Sequence, residues 1–115
     1  MKVAAVVTDL MLYSRIESAA SAAGVPLLRV DEPSAIPSDA LVVLVDWSAR
    51  DPSWAEPLRA LRAVGARVIL FGPHVDLDAH AAARDLGLGP MMARSRFLTN
   101  LVALVDHTPR PRIGS

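Results

Sequence analysis

Three stretches of this chain, Val3 to Val7, Leu41 to Val45 and Val68 to Phe71, are unbroken apolar runs rich in β-branched residues. A strand with one wet face alternates polar and apolar side chains. A continuous apolar strand is covered on both faces, which happens in parallel sheets flanked by helices. Two weaker stretches, Pro26 to Val30 and Gly89 to Ala93, carry proline and fewer large apolar residues, as sheet edges tolerate.

The segments between these runs have helical character. Met11 to Ala23 is alanine-rich and closed by Gly24, a residue suited to a left-handed cap. Asp51 and Pro52 fit the N-cap and first position of a second helix running to Val64 and stopping at Gly65, with Pro57 able to bend it or delay its start. Asp76 to Leu86 reads as a third, capped by Gly87, and Ser95 to Val105 as the last, with Ser95 as N-cap. Asp31 to Asp39 contains two prolines and supports a short helix at best. Strands and helices alternating along so short a chain imply right-handed crossovers and an α/β, doubly wound five-stranded parallel sheet of order 2-1-3-4-5. The expected organisation is one domain over residues 1–106 and a flexible tail over 107–115.

With 12 basic and 12 acidic side chains among 115 residues, the chain lacks the positive field that drives nonspecific nucleic-acid binding, so no direct nucleic-acid partner is expected. The absence of cysteine removes disulfides, thiolate metal sites and cysteine nucleophiles, and a cytoplasmic location is expected. No uncharged apolar run approaches the roughly 20 residues a membrane-spanning helix needs. His74, His80 and His107 lie far apart and lack metal-ligand spacing, and no phosphate-binding glycine loop or GxSxG elbow occurs.

In an open parallel sheet, ligands bind beyond the carboxyl ends of the strands, where the strand order reverses. Here that point lies between the first and third strands, which end in Asp9 and Asp46. Two carboxylates there repel unless a cation or a basic side chain lies between them, and oxygen ligands suit Mg²⁺. The fifth strand delivers Arg94 to the same edge. The loop after the fourth delivers Gly72, Pro73 and His74. The bland alternatives are that Asp9 only caps the first helix and that Asp46 only shapes a turn. Trp47 and Trp54, beside the pocket, either close the core or anchor a partner.

The placement of Thr8, Asp9, Asp46 and Arg94 resembles the receiver domains of bacterial response regulators over about Lys2 to Val105. That resemblance implies a flavodoxin-like, receiver-like three-layer sandwich. In it, Asp9 matches the acid that holds Mg²⁺ directly, Asp46 matches the phosphoacceptor, and the Ser48 carbonyl completes the metal site. The chain departs from the pattern in five places, one being the proline that usually follows the lysine, where Ser95 and Arg96 stand. Thr8 replaces an acid, so the metal site loses a carboxylate and is expected to bind Mg²⁺ weakly or not at all. Gly72 replaces the Ser or Thr whose hydroxyl contacts the phosphoryl group. Arg94 stands near the position of the lysine, free to bind a phosphoryl oxygen or to pair permanently with Asp46. Met91 or Met92 stands in the region of the switching aromatic.

The expectation is therefore a stand-alone atypical signalling and interaction module of the two-component kind, not an enzyme, with degraded phosphotransfer and no output domain. Its partner is expected to be a protein, or a second copy in a homodimer joined through the last helix, whose Leu98, Leu101, Val102, Leu104 and Val105 exceed a narrow buried stripe. Two readings stay open beside it: a working single-domain response regulator of a phosphorelay, phosphorylated on Asp46, and a small flavodoxin-type ligand-binding protein or enzyme using the same crevice.

Overall fold

Val3–Val6 (β1), Leu27–Val30 (β2), Val42–Asp46 (β3), Arg67–Gly72 (β4) and Met92–Ala93 (β5) form one parallel sheet in the order β2-β1-β3-β4-β5. The computed structural model describes residues 3–105, so the tail expected over 107–115 lies outside the described residues. Every residue of β1 and β3 is buried, as the unbroken apolar runs require, whereas β2 has two exposed residues and β5 none fully buried. The runs also end where polar chemistry begins. Val7 falls just past β1 and Leu41 just before β3, while Asp46 and Gly72 close β3 and β4.

Leu10–Ala23 (α1), Arg94–Thr99 (α4) and Leu101–Val105 (α5) cover one face of the sheet. Leu12, Ile16, Ala19 and Ala20 are the buried stripe of α1, spaced so that one face of the helix meets β1 and β3. The Phe71 and Phe97 rings stack with centroids 3.9 Å apart. Ala55–Ala63 (α2) and Leu77–Asp85 (α3) cover the other face, packing Leu58, Leu61, Ala79 and Ala83 against Val43, Val45 and Leu70. Gly24 ends α1 at φ 68°, and its N–H and that of Val25 return to the Ala20 and Ser21 carbonyls, so a Cβ there would be strained.

The second helix starts late, as Pro57 allows, and the expectation for the last helix needs correction. The second helix opens as a 3-10 turn, Pro52–Trp54, with Asp51 capping the Ser53 N–H; α2 starts only at Ala55, which puts Pro57 in its first turn, where a missing N–H costs little. The last helix is two, with Ala93 rather than Ser95 at the first cap position. Asn100 separates them: its side-chain Nδ2 and its backbone N–H both donate to the Arg96 carbonyl, at 2.8 and 3.1 Å. An asparagine side chain competing for a backbone acceptor in this way disfavours regular helix. The segment Asp31 to Asp39 contributes a short 3-10 helix, Pro33–Ala35.

No helix of the described residues is long and apolar enough to cross a membrane. The apolar surplus of the last helices is mostly consumed internally. Leu101, Leu104 and Val105 are buried and Leu98 is half-buried, leaving Val102 as the exposed member.

Candidate functional site at the carboxyl edge of the sheet

β1 and β3 are adjacent and in register, Val6 opposite Val45, so the residues beyond their ends meet at one edge. Asp9, three residues past the end of β1, caps α1. Its Oδ1 accepts the Met11 and Leu12 N–H groups at 3.0 and 3.2 Å. Its Oδ2 lies 3.4 Å from Arg94 Nη2, and both side chains are half exposed. The Leu12 N–H is the largest cause holding the Asp9 carboxyl below its ordinary value; desolvation opposes it, and Arg94 and the Met11 N–H add to the lowering.

Asp46 has a different setting. It is 8% exposed, the one charged residue among the buried positions described. Its Oδ1 accepts the Ser48 N–H at 3.2 Å and the Ser48 hydroxyl at 2.5 Å, making the Asp–x–Ser turn that begins the 3-10 helix Trp47–Ala49. Trp47 is driven into the core, where its Nε1–H donates to the Ala79 carbonyl at 3.0 Å. Trp54 is buried too, so both tryptophans close the core and neither is an exposed anchor.

Gly72 and Met91 complete the neighbourhood. A Cβ on Gly72 would stand 3.0 Å from Met91 Sδ and 3.3 Å from its Cε, and 3.8 Å from the Ser48 N. The Met91 thioether therefore fills the place that a side chain at position 72 would enter. Met92, by contrast, pairs with Phe71 in β5 and packs on the α1 side. Of the two methionines offered by the sequence, Met91 is the one at this edge.

The structure thus brings Asp9 and Arg94 together and separately joins Asp46, Ser48, Gly72 and Met91. Thr8 is exposed beside Asp9. The option of Arg94 paired permanently with Asp46 is corrected: its ion pair is with Asp9, because Arg94 opens α4 directly after Ala93, which pairs with Gly72. His74 is exposed, and its carbonyl accepts from His80 Nε2 at 3.1 Å. Sequence reasoning missed the Arg94–Asp9 pair and the Met91 plug; both join residues whose separation in the chain carries no periodic signal.

This donor set does not fit a dedicated Mg²⁺ site. Such a site gathers several oxygen ligands at near-octahedral geometry. Here Thr8 supplies no carboxylate, Asp9 has committed both oxygens, and the described residues hold no group of three or more His, Cys, Asp or Glu side chains able to hold a metal.

No protein-family profile and no curated protein matches the chain. Among solved structures, the chain is similar to a response regulator receiver domain protein from Clostridium thermocellum, with a TM-score of 0.65 and 16% identity over 91% of this chain and 90% of that one. It is also similar to a structure described as adenylate cyclase from Rhodopirellula baltica, with a TM-score of 0.58 and 14% identity over 91% and 89% of the two chains. At such identities the likeness is one of fold, and the fold is that of receiver domains, flavodoxin-like with strand order 2-1-3-4-5.

Proposed function

Starting from this receiver-like fold, we propose that the chain is an atypical receiver-like signalling module of the cytoplasm, working through a protein partner or a second copy, with phosphotransfer at Asp46 degraded and no dedicated metal cofactor. The observation that carries the reading is the slot beside Asp46. Phosphoryl transfer depends on charge and hydrogen-bond donors aimed at the oxygens of the group in transit. Position 72 has no hydroxyl to offer, the Met91 thioether fills the space, and the nearest strand-end cation, Arg94, is held by Asp9. An apolar sulfur against an anionic phosphoryl group supplies neither charge nor a hydrogen-bond donor to its oxygens.

Exposed apolar side chains supply contact area for a partner. Leu10 and Met11 open α1, Val75 and Leu77 precede and begin α3, and Val102 stands on α5, each more than half exposed. The competing reading, a working single-domain response regulator, has in its favour the place of Asp46 at the strand-order switch. The experiment that separates them incubates the full chain with Mg²⁺ and acetyl phosphate and measures intact mass, with peptide mapping of Asp46. Unmodified protein is the expected result; a stoichiometric, stable aspartyl-phosphate at Asp46 supports the competing reading instead.

A further inference from the structure

A second cavity opens beside the site, between the loop after β3 and the outer side of α3. It is a groove open to solvent, with a volume of about 530 Å³, bordered by Trp47, Ser48, Arg50, Asp51, Ala82 and Leu86. That volume falls in the range of small-molecule sites, which combine apolar walls with a few placed polar groups.

The walls are held in position. Trp47 Nε1 grips α3 at the Ala79 carbonyl. At the far end of the same helix, Arg59 Nε donates to the Leu86 carbonyl at 2.8 Å and Arg62 Nη1 to the Gly87 carbonyl at 2.6 Å. These three bonds tie α3 to the β3 loop and to α2, so the cavity does not have to be opened by moving a helix.

Two opposite charges border it. Arg50 is half-buried, its guanidinium 6.0 Å from the centroid of the Trp47 ring, with one N–H on the Trp47 carbonyl at 3.3 Å. Among the described residues its guanidinium makes that one hydrogen bond out of five N–H donors and no ion pair. Asp51 takes the Ser53 hydroxyl and N–H on Oδ1, at 2.7 and 2.9 Å, which holds its carboxyl below the ordinary value and leaves Oδ2 for another donor. A cation and an anion on adjacent residues, bordering the same groove as the half-buried Ala82 and Leu86, match a ligand that carries both charges and an apolar group.

We propose that this cavity binds a small zwitterion with an apolar side chain, an α-amino acid or dipeptide, its carboxylate on Arg50 and its ammonium on Asp51. Ser48 borders the cavity and donates its hydroxyl to Asp46, so occupancy reaches the Asp46 turn directly. The proposal goes beyond the signalling reading and is independent of any phosphoryl chemistry at Asp46.

The test is a ¹H–¹⁵N titration of the full chain with L-phenylalanine and L-leucine, alongside 3-phenylpropionate and 2-phenylethylamine, each of which keeps the ring and one charge. Saturable shifts are expected at the amides of residues 47–51 and 82–86 and at the Trp47 indole N–H. The single-charge analogues should bind at least about tenfold more weakly than L-phenylalanine, as should L-phenylalanine to Arg50→Gln and to Asp51→Asn. Should a variant fail to fold, the analogues report the same contrast on the unaltered chain. No saturable shift at these amides with ligand at about 10 mM, or shifts indifferent to both charges, would overturn the proposal.

Discussion

Asp9 and Asp46 lie just beyond neighbouring parallel strands and both cap the helical turn that comes next, yet they are set in opposite surroundings. Asp9 is half exposed, with both oxygens committed: two backbone N–H groups on one, Arg94 on the other. Asp46 is buried, next to Ser48 and Trp47, and among the described residues takes its bonds from Ser48. The difference comes from the residues on the C-terminal side of each strand. After β1 the chain runs out to solvent through Thr8 and into a helix beginning with the exposed Leu10 and Met11. After β3 it folds Trp47 inward at once. One capping function thus leaves one aspartate a surface group and makes the other part of the core boundary.

The largest contrast is expected from side chains next to each aspartate. Trp47→Ala removes a buried indole and its bond to the Ala79 carbonyl and is expected to cost about 3–5 kcal/mol, whereas Leu10→Ala, at an exposed position, stays within about 0.5 kcal/mol. Urea unfolding followed by circular dichroism measures both, and equal losses would break the comparison. A smaller effect is expected at Gly72. Gly72→Thr drives its Cβ toward Met91 Sδ and should cost about 1–3 kcal/mol as overpacking. Met91→Ala in the same chain should restore part of that loss, because the thioether is what the new side chain meets. Additive losses in the double-mutant cycle would show that Met91 is not the obstacle.

The smallest effect concerns the Asp9 side and is read through pH. The folded-state value of Asp9 is lowered from an ordinary value near 3.8, so its contribution is fully present above that value and is lost as pH falls through the depressed folded one. Asp9→Asn should therefore lower the thermal midpoint slightly at neutrality and flatten its acid limb, the variant and the natural chain converging at acid pH. Arg94→Ala should flatten it less, since the Leu12 N–H is the larger cause. An acid limb unchanged in Asp9→Asn would remove Asp9 from the account.

The sheet was largely legible in the sequence because burial on both faces leaves an unbroken apolar signature, and β1, β3 and β4 carry it. Gly24 and Asp76 were legible as helix boundaries because their conformational and capping preferences act locally. What escaped was set by side-chain competition or by contact across the fold. Asn100 interrupts the last helix by bonding to Arg96, which no periodicity announces. Arg94 pairs with Asp9 and not with Asp46: the cation starts α4 beside the half-exposed Asp9, while Asp46 is buried. Composition shows the cation and the acids, not the rim.

Intact mass after exposure to Mg²⁺ and acetyl phosphate decides whether the Asp46 neighbourhood, as proposed, is built as packing and not as a phosphoryl-transfer site. No adduct is expected on the natural sequence, and aspartyl-phosphate is expected only when Thr8, Gly72 and Arg94 are reversed and the Met91 thioether is removed together, in Thr8→Asp/Gly72→Thr/Met91→Ala/Arg94→Lys. Rapid, stoichiometric modification of Asp46 in the unaltered chain would contradict it.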